Sequence, residues 1–202
     1  SIFSMRFVGS PFYFSFNEIA SGIGMIAPKA AASIGNIVYF MDDGAFYRAS
    51  GNVERLPCTV LDHVFSDMNK GARFKFFAAN NVEHNEVIWF YASSSSTEID
   101  KYVSYNYAEN VWAVGTTSNN FTRTAWDDAP TLTNPLAAGK LDNTDKNYLY
   151  NHESGNLADG TAFPAYIESA DIDLDPAGEQ FMYLSKIIPD IEFQGSGNSN
   201  DN

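Results

Sequence analysis

Five consecutive large apolar side chains, Val87-Ile88-Trp89-Phe90-Tyr91, constrain this chain more than any other stretch. Successive side chains of a strand point to opposite faces, so a run without polar alternation needs cover on both sides. Each buried Trp or Phe removes about 150–250 Å² from water, worth several kcal/mol at ~25 cal/mol/Å². Core packing therefore accounts for these rings. The rival use is a sugar platform for host attachment, which requires Trp89, Trp112 or nearby tyrosines to be exposed.

The rest of the chain repeats one grammar of strand, turn and returning strand. In "NIVYFMDDGAFYRASGNVERLP" the apolar runs flank Asp42-Asp43-Gly44, a hairpin signal because glycine accepts positive φ. "SGN" turns the chain again, which makes a meander over 36–57. A second meander spans 85–115, with strands predicted over 86–92, 101–107 and 111–114 around the serine-rich connector "SSSSTEID". Along 101–107, Val103, Tyr105 and Tyr107 alternate with Tyr102, Ser104 and Asn106, giving one packed and one wetter face. A third copy is placed near 146–191, with strands over 148–151, 165–174 and 181–188. Between the copies a short strand is expected at 122–126 and a linker over 130–141. The polar segment 193–202 ends in "GSGNSNDN".

Successive meanders are the habit of propeller blades, so the expected fold is all-β, antiparallel and β-propeller-like. One segment departs from it. In "TVLDHVFSDMNKG" the residues Val60, Leu61, Val64, Phe65 and Met68 fall at helical spacing. Thr59 with Asp62 reads as a first-turn cap and Gly71 as a stop, which predicts one helix over 59–70.

At 202 residues the chain can bury roughly 70% of its unfolded surface. Twelve basic against 25 acidic residues give a formal charge of −13. Such a field repels duplex DNA and argues against sequence reading, while leaving DNA acceptable as a passenger that must not adhere. Cys58 is the only cysteine, so no intrachain disulfide exists and nothing supports secretion. The apolar region 19–41 is broken by Pro28, Lys29 and three glycines, so membrane insertion by this chain is not expected. No signal peptide is visible, and the ends read as those of a piece of a longer polypeptide.

Few constellations carry chemistry. Asp171, Asp173 and Asp175 of "DIDLD" share one strand face and are metal candidates for Ca²⁺, although Pro176 stands where a calcium loop needs glycine. A solvated strand face followed by the "DPAG" turn is the favoured reading of them. His63, His84 and His152 are scattered, and no zinc spacing, nucleophile elbow, phosphate loop or dinucleotide fingerprint occurs. "EHNE" at 83–86 sets acids beside an imidazole in a turn-rich stretch. A glycosidase carboxylate pair distant in sequence stays open as a third reading. No cofactor and no catalytic residue is assigned.

Longer strings carry a resemblance. "SMRFVGSPFYFSF", "NEVIWFYASSSSTEIDKYVSYNYAENVW", "RTAW" and "AYIESADIDLDPAGEQFMYLSKIIPDI" resemble structural proteins of tailed bacteriophages. Among these they most resemble the tail nozzle proteins of short-tailed phages, also called tail tubular protein B or packaged-DNA stabilisation protein. The resemblance implies a non-enzymatic, propeller-like virion subunit, assembled in the bacterial cytoplasm into a homo-hexameric ring of the tail. Its implied partners are the head-to-tail adaptor, tail fibre or other tail proteins, and DNA that is retained and then conducted during ejection. This chain is far shorter than a whole nozzle subunit, and "TTSNNFTRTAW" carries an added polar stretch. Carboxylates facing a lumen would repel passing phosphates over ~8 Å. Asp42, Asp43, Asp127 and Asp128, all expected in turns, are the channel-facing candidates, with plain solvated turns as the alternative.

Overall fold

The computed structural model describes residues 1–117, 122–129, 131–140, 147–155, 157–158, 161–162, Tyr183, Ser185 and Lys186. Two compact units divide the chain, Ser1–Glu153 and Ser154–Asn202. In the second, β14 (Leu157–Ala158) pairs with β15 (Thr161–Ala162). The predicted strand 165–174 and Asp171, Asp173 and Asp175 lie outside the described residues. Of 181–188 only Tyr183, Ser185 and Lys186 are described, and none of these is in a strand.

The first unit is a succession of antiparallel sheets. An N-terminal hairpin pairs β1 (Ile2–Gly9) with β2 (Tyr13–Ala20). The next sheet is a four-stranded meander of β3 (Ala31–Ile34), β4 (Ile37–Met41), β5 (Phe46–Ala49) and β6 (Val53–Arg55). A second meander follows, with β7 (Phe77–Asn81), β8 (Glu86–Tyr91), β9 (Lys101–Asn106) and β10 (Val111–Thr116) in sequential order. The third sheet comprises β11 (Ala125–Asp127), β12 (Leu136–Lys140) and β13 (Asn147–Asn151). The fold is thus mostly antiparallel β, as expected. Among the described residues no closed barrel or propeller forms.

Several expectations need correction. Both predicted meanders gain a leading strand, β3 and β7, each short and built largely from alanine or asparagine. The third meander begins earlier than placed: the supposed linker 130–141 contains β12, which holds β11 and β13 together. Its alanines and glycine carry little β signal alone, yet Ala137 is fully buried between flanking strands. The β4–β5 hairpin exists, but Gly44 does not enter the left-handed region. Instead a four-residue loop is closed by the Asp42 N–H donating to the Ala45 carbonyl at 2.9 Å.

The helix is also shorter than predicted. α1 spans Leu61–Asp67 and has no side-chain cap at Val60. A 3₁₀ turn, Lys70–Lys75, follows and contains the expected stop Gly71. Local periodicity loses to tertiary bonding here. Met68 is pulled into an extended bridge with Ser93, and the Asn69 N–H donates to the Ala92 carbonyl at 2.9 Å. The Asn69 side chain also donates to the Ser96 carbonyl at 2.7 Å and accepts from the Gly71 N–H.

Packing follows from β8. Val87, Trp89 and Tyr91 lie on one face, with Ile88 and Phe90 on the other, and all five are buried. On the first face Trp89 lies 4.9 Å from Phe46 of β5 and 6.0 Å from Trp112 of β10. Phe46 and Trp112 are 4.7 Å apart. On the second face Phe90 lies 4.7 Å from Phe77 and 5.9 Å from Trp126 of β11. The second sheet is therefore covered on both sides, by the first and third sheets.

Each indole also finds a backbone acceptor. Trp89 Nε1 donates to the Ala30 carbonyl at 3.2 Å, Trp112 Nε1 to Pro57 at 2.8 Å, and Trp126 Nε1 to Asn80 at 2.7 Å. All three bonds join one sheet, or its flank, to the next. An unmade buried donor would cost about 1–3 kcal/mol, so these rings are both filler and fastening.

The edge strand β10 carries one further constraint. Gly115 lies opposite Tyr102, and a Cβ built on it would collide with the tyrosine ring. The phenol covers the bare backbone. Gly115→Ala is expected to lower stability by roughly 1–3 kcal/mol through overpacking, as measured by urea unfolding. Combining it with Tyr102→Ala should give a penalty smaller than the sum of the two single changes.

Candidate functional site

The four acidic candidates are separated by the fold. β3 and β7 run alongside each other in the same direction, shown by the parallel bridge of Lys29 with Phe77 and the bond from Asn80 to the Ser33 carbonyl. The β4–β5 loop holding Asp42 and Asp43 therefore lies at one end of the sheets, beside the serine-rich loop. The β7–β8 turn lies at the other end. There the Asp128 carboxylate accepts from the Val82 N–H at 2.8 Å. Asp127 is not in a turn but is the exposed last residue of β11. Asp43 pairs with Lys70 at 2.8 Å, and Lys70 also donates to the Asp43 carbonyl. No single acidic collar arises from these residues.

Trp89 and Trp112 are buried, so neither serves as an exposed sugar platform. The sequence reading of the wetter face on β9 also changes. Ser104 is buried, and its hydroxyl donates to Glu86 Oε1 at 3.4 Å, where desolvation raises the Glu86 carboxyl above its usual range.

The serine-rich connector between β8 and β9 is held by a polar network. The Ser93 N–H and hydroxyl both donate to Asp100, at 2.7 and 2.6 Å. Ser94 donates to Asp67 at 3.1 Å and Lys101 donates to the other Asp67 oxygen at 2.7 Å. Lys75 reaches across from the 3₁₀ turn to the Thr97 carbonyl and the Glu98 carboxylate. The hydrogen bond from Lys101 holds the Asp67 carboxyl below its ordinary value. Burial, with Asp67 and Asp100 nearby, pushes the Tyr91 phenol up to about 12. Its role is to stay neutral in the wall, and the network fixes a loop.

A second polar cluster lies on the third sheet. Arg123 Nε donates to His152 Nε2 at 3.0 Å, and its guanidinium lies 5.2 Å from the Tyr150 ring centroid. His152 also packs against Trp126 in a tilted arrangement, with centroids 4.7 Å apart. Burial first, then the Arg123 charge, lowers its pKa to about 4, so the imidazole accepts as a neutral base. His63 and His84 are exposed, and His84 lies 3.4 Å from Glu153. Cys58 is half-buried, which pushes its thiol up and suits packing over nucleophilic attack. Among the described residues no three His, Cys, Asp or Glu side chains gather as a metal site, and no helix is long and apolar enough to cross a membrane.

The most conspicuous surface is one that no motif announced. Register pairs Met5 with Phe16, Phe7 with Phe14 and Phe3 with Glu18 across the β1–β2 hairpin. Directly opposed residues share a face, so Phe3, Met5, Phe7, Phe14 and Phe16 form one face that is apolar except for Glu18 at its base. Ser4, Arg6, Ser15 and Asn17 form the other. All five apolar side chains are exposed, as are Phe12 and Tyr13 at the tip. Strict period-two alternation in "FSMRF" and "FSF", around the turn residues of "GSPF", was the available signal. No protein-family model matches the chain, and no curated protein sequence does.

Two titrations are expected. Asp67 has a lowered pKa in the fold, so its stabilisation is complete above the ordinary 3.8 and disappears as pH falls through the lowered value. Asp67→Asn should flatten the loss of Tm on acidification below about pH 4, measured by thermal denaturation. His152 is neutral in the fold, and the unfolded chain takes up its proton first. Stability should fall as pH drops from 6.5 to about 4. His152→Gln should remove that part of the slope in the same scans.

Proposed function

We propose that this chain is a structural part of a bacteriophage virion tail, a nozzle-like ring subunit that retains packaged DNA and conducts it during ejection. The observation that carries this reading is the stack of consecutive antiparallel meanders. Its tryptophans are consumed in the contacts between sheets, as in propeller blades. Two of the strings resembling nozzle proteins, "NEVIWFYASSSSTEIDKYVSYNYAENVW" and "RTAW", fall within this stack. A net charge of −13 adds the field that a conduit for phosphates needs. Exposed Asp127 and ion-paired Asp43 lie at opposite ends of the sheets, so either end can present carboxylates to a lumen without a binding pocket for bases.

The proposed partners are further copies of the chain, a head-to-tail adaptor, and DNA held without sequence preference. Negative-stain electron microscopy of the purified protein, alone and with isolated adaptor rings, tests this. Closed rings that stack on the adaptor are expected. A monodisperse monomer at high concentration that never joins the adaptor would overturn the proposal.

A further inference from the structure

We infer that the apolar face of the β1–β2 hairpin is the contact by which one copy of this chain grips the next. This inference rests on the ring reading above and assigns a surface to it. The five side chains of the face range from 49% exposed at Phe14 to 67% at Phe7, and Phe12 at the tip is 80% exposed. With a fully exposed aromatic side chain taken as roughly 200 Å², the face presents on the order of 600 Å², and the tip raises this to about 900 Å². The largest apolar patch on an ordinary monomer is ~300–600 Å². A stable association needs ~800 Å² per partner. A two-stranded ribbon is also marginal in water by itself, so the face requires cover.

Charge selects the occupant. Residues 1–20 carry only Arg6 and Glu18, so their formal charge is zero and the whole −13 lies in residues 21–202. Glu18, opposite Phe3 at the base of the face, is the one acid on it, so two like-charged copies meet through the hairpin with few carboxylates opposed. A receiving surface lies at the hairpin base. There a recess of about 400 Å³ is lined by Phe3, Ile19, Met25, Val38 and Phe40 among others. It is mostly apolar, with Ser1, Asn36 and Ser50 also in its lining, and large enough for an aromatic side chain such as Phe12. Tip into recess is a head-to-tail contact, the kind that closes rings, whereas face against identical face stops at a dimer.

Two variants of the full chain test this by sedimentation velocity. One carries Phe7→Ser, Phe12→Ser and Phe14→Ser on the hairpin, and the other carries Val38→Asp in the recess. Each alone is expected to weaken self-association by more than about a hundredfold. An equimolar mixture should form a one-to-one dimer, because each variant supplies the surface that the other lacks. Buried-tryptophan fluorescence establishes that each variant is folded. As a measurement independent of substitution, hydrogen exchange on the unaltered protein should show hairpin amides protected only at concentrations where it assembles.

Assembly that survives the hairpin substitutions, or hairpin amides equally exchangeable in the assembled protein, overturns this contact and leaves the ring reading standing. A mixture that yields no dimer overturns the tip-into-recess geometry. An unaltered protein that stays monomeric overturns both readings. Should that monomer bind phosphatidylcholine vesicles through the hairpin, a lipid surface would be the occupant and the contact between copies would be discarded.

Discussion

Everything in the first unit depends on how three indoles are accommodated. Trp89, Trp112 and Trp126 fill the spaces between stacked sheets, and each donates its only N–H to a backbone carbonyl beyond its own strand pair. A ring that large cannot be buried with its donor unmet, so its acceptor fixes where the neighbouring sheet lies. Ala30, Pro57 and Asn80 are ordinary residues in sequence, and their carbonyls become fixed points because an indole reaches them. Phe46, packed against both Trp89 and Trp112, completes the contact of the first two sheets.

Placing the rings in this way decides what the surface can offer. The aromatic density that first suggests a binding groove is used up inside the stack. Among the described residues, what remains outside includes carboxylates at the ends of the sheets, several of them tied to lysines or backbone N–H groups, and an apolar ribbon. Asp43 with Lys70, Asp67 with Lys101 and Asp128 with the Val82 N–H show acids recruited to hold loops. The serine-rich connector belongs to the same pattern. Ser93 and Ser94 donate to Asp100 and Asp67, so a stretch that looks like a flexible linker is ordered by hydroxyl bonds.

Much of the fold was legible in order along the chain. The strands of both central meanders fall within a residue or two of their apolar runs. The unbroken run over 87–91 correctly implied cover on both faces. The misses share one cause. β3, β7 and β12 are made mostly of small or polar residues, whose strand state comes from pairing partners and not from their own preferences. The end of α1 follows bonds from Met68 and Asn69 to residues beyond position 90, and no window of local periodicity contains those partners. The hairpin face was readable in the alternation of Phe3, Met5 and Phe7, but its exposure was not.

The sequence by itself determined that this is a sheet protein with a buried aromatic run over 87–91, a strong negative charge and repeated turn signals. Those properties follow from the two-residue period of a strand and from composition, both of which are local. Only the tertiary structure decided which rings touch, which ends the aspartates occupy, where the helix stops and which apolar face stays bare. Each of these is a matter of distance between residues far apart along the chain, and only the folded backbone brings such residues together.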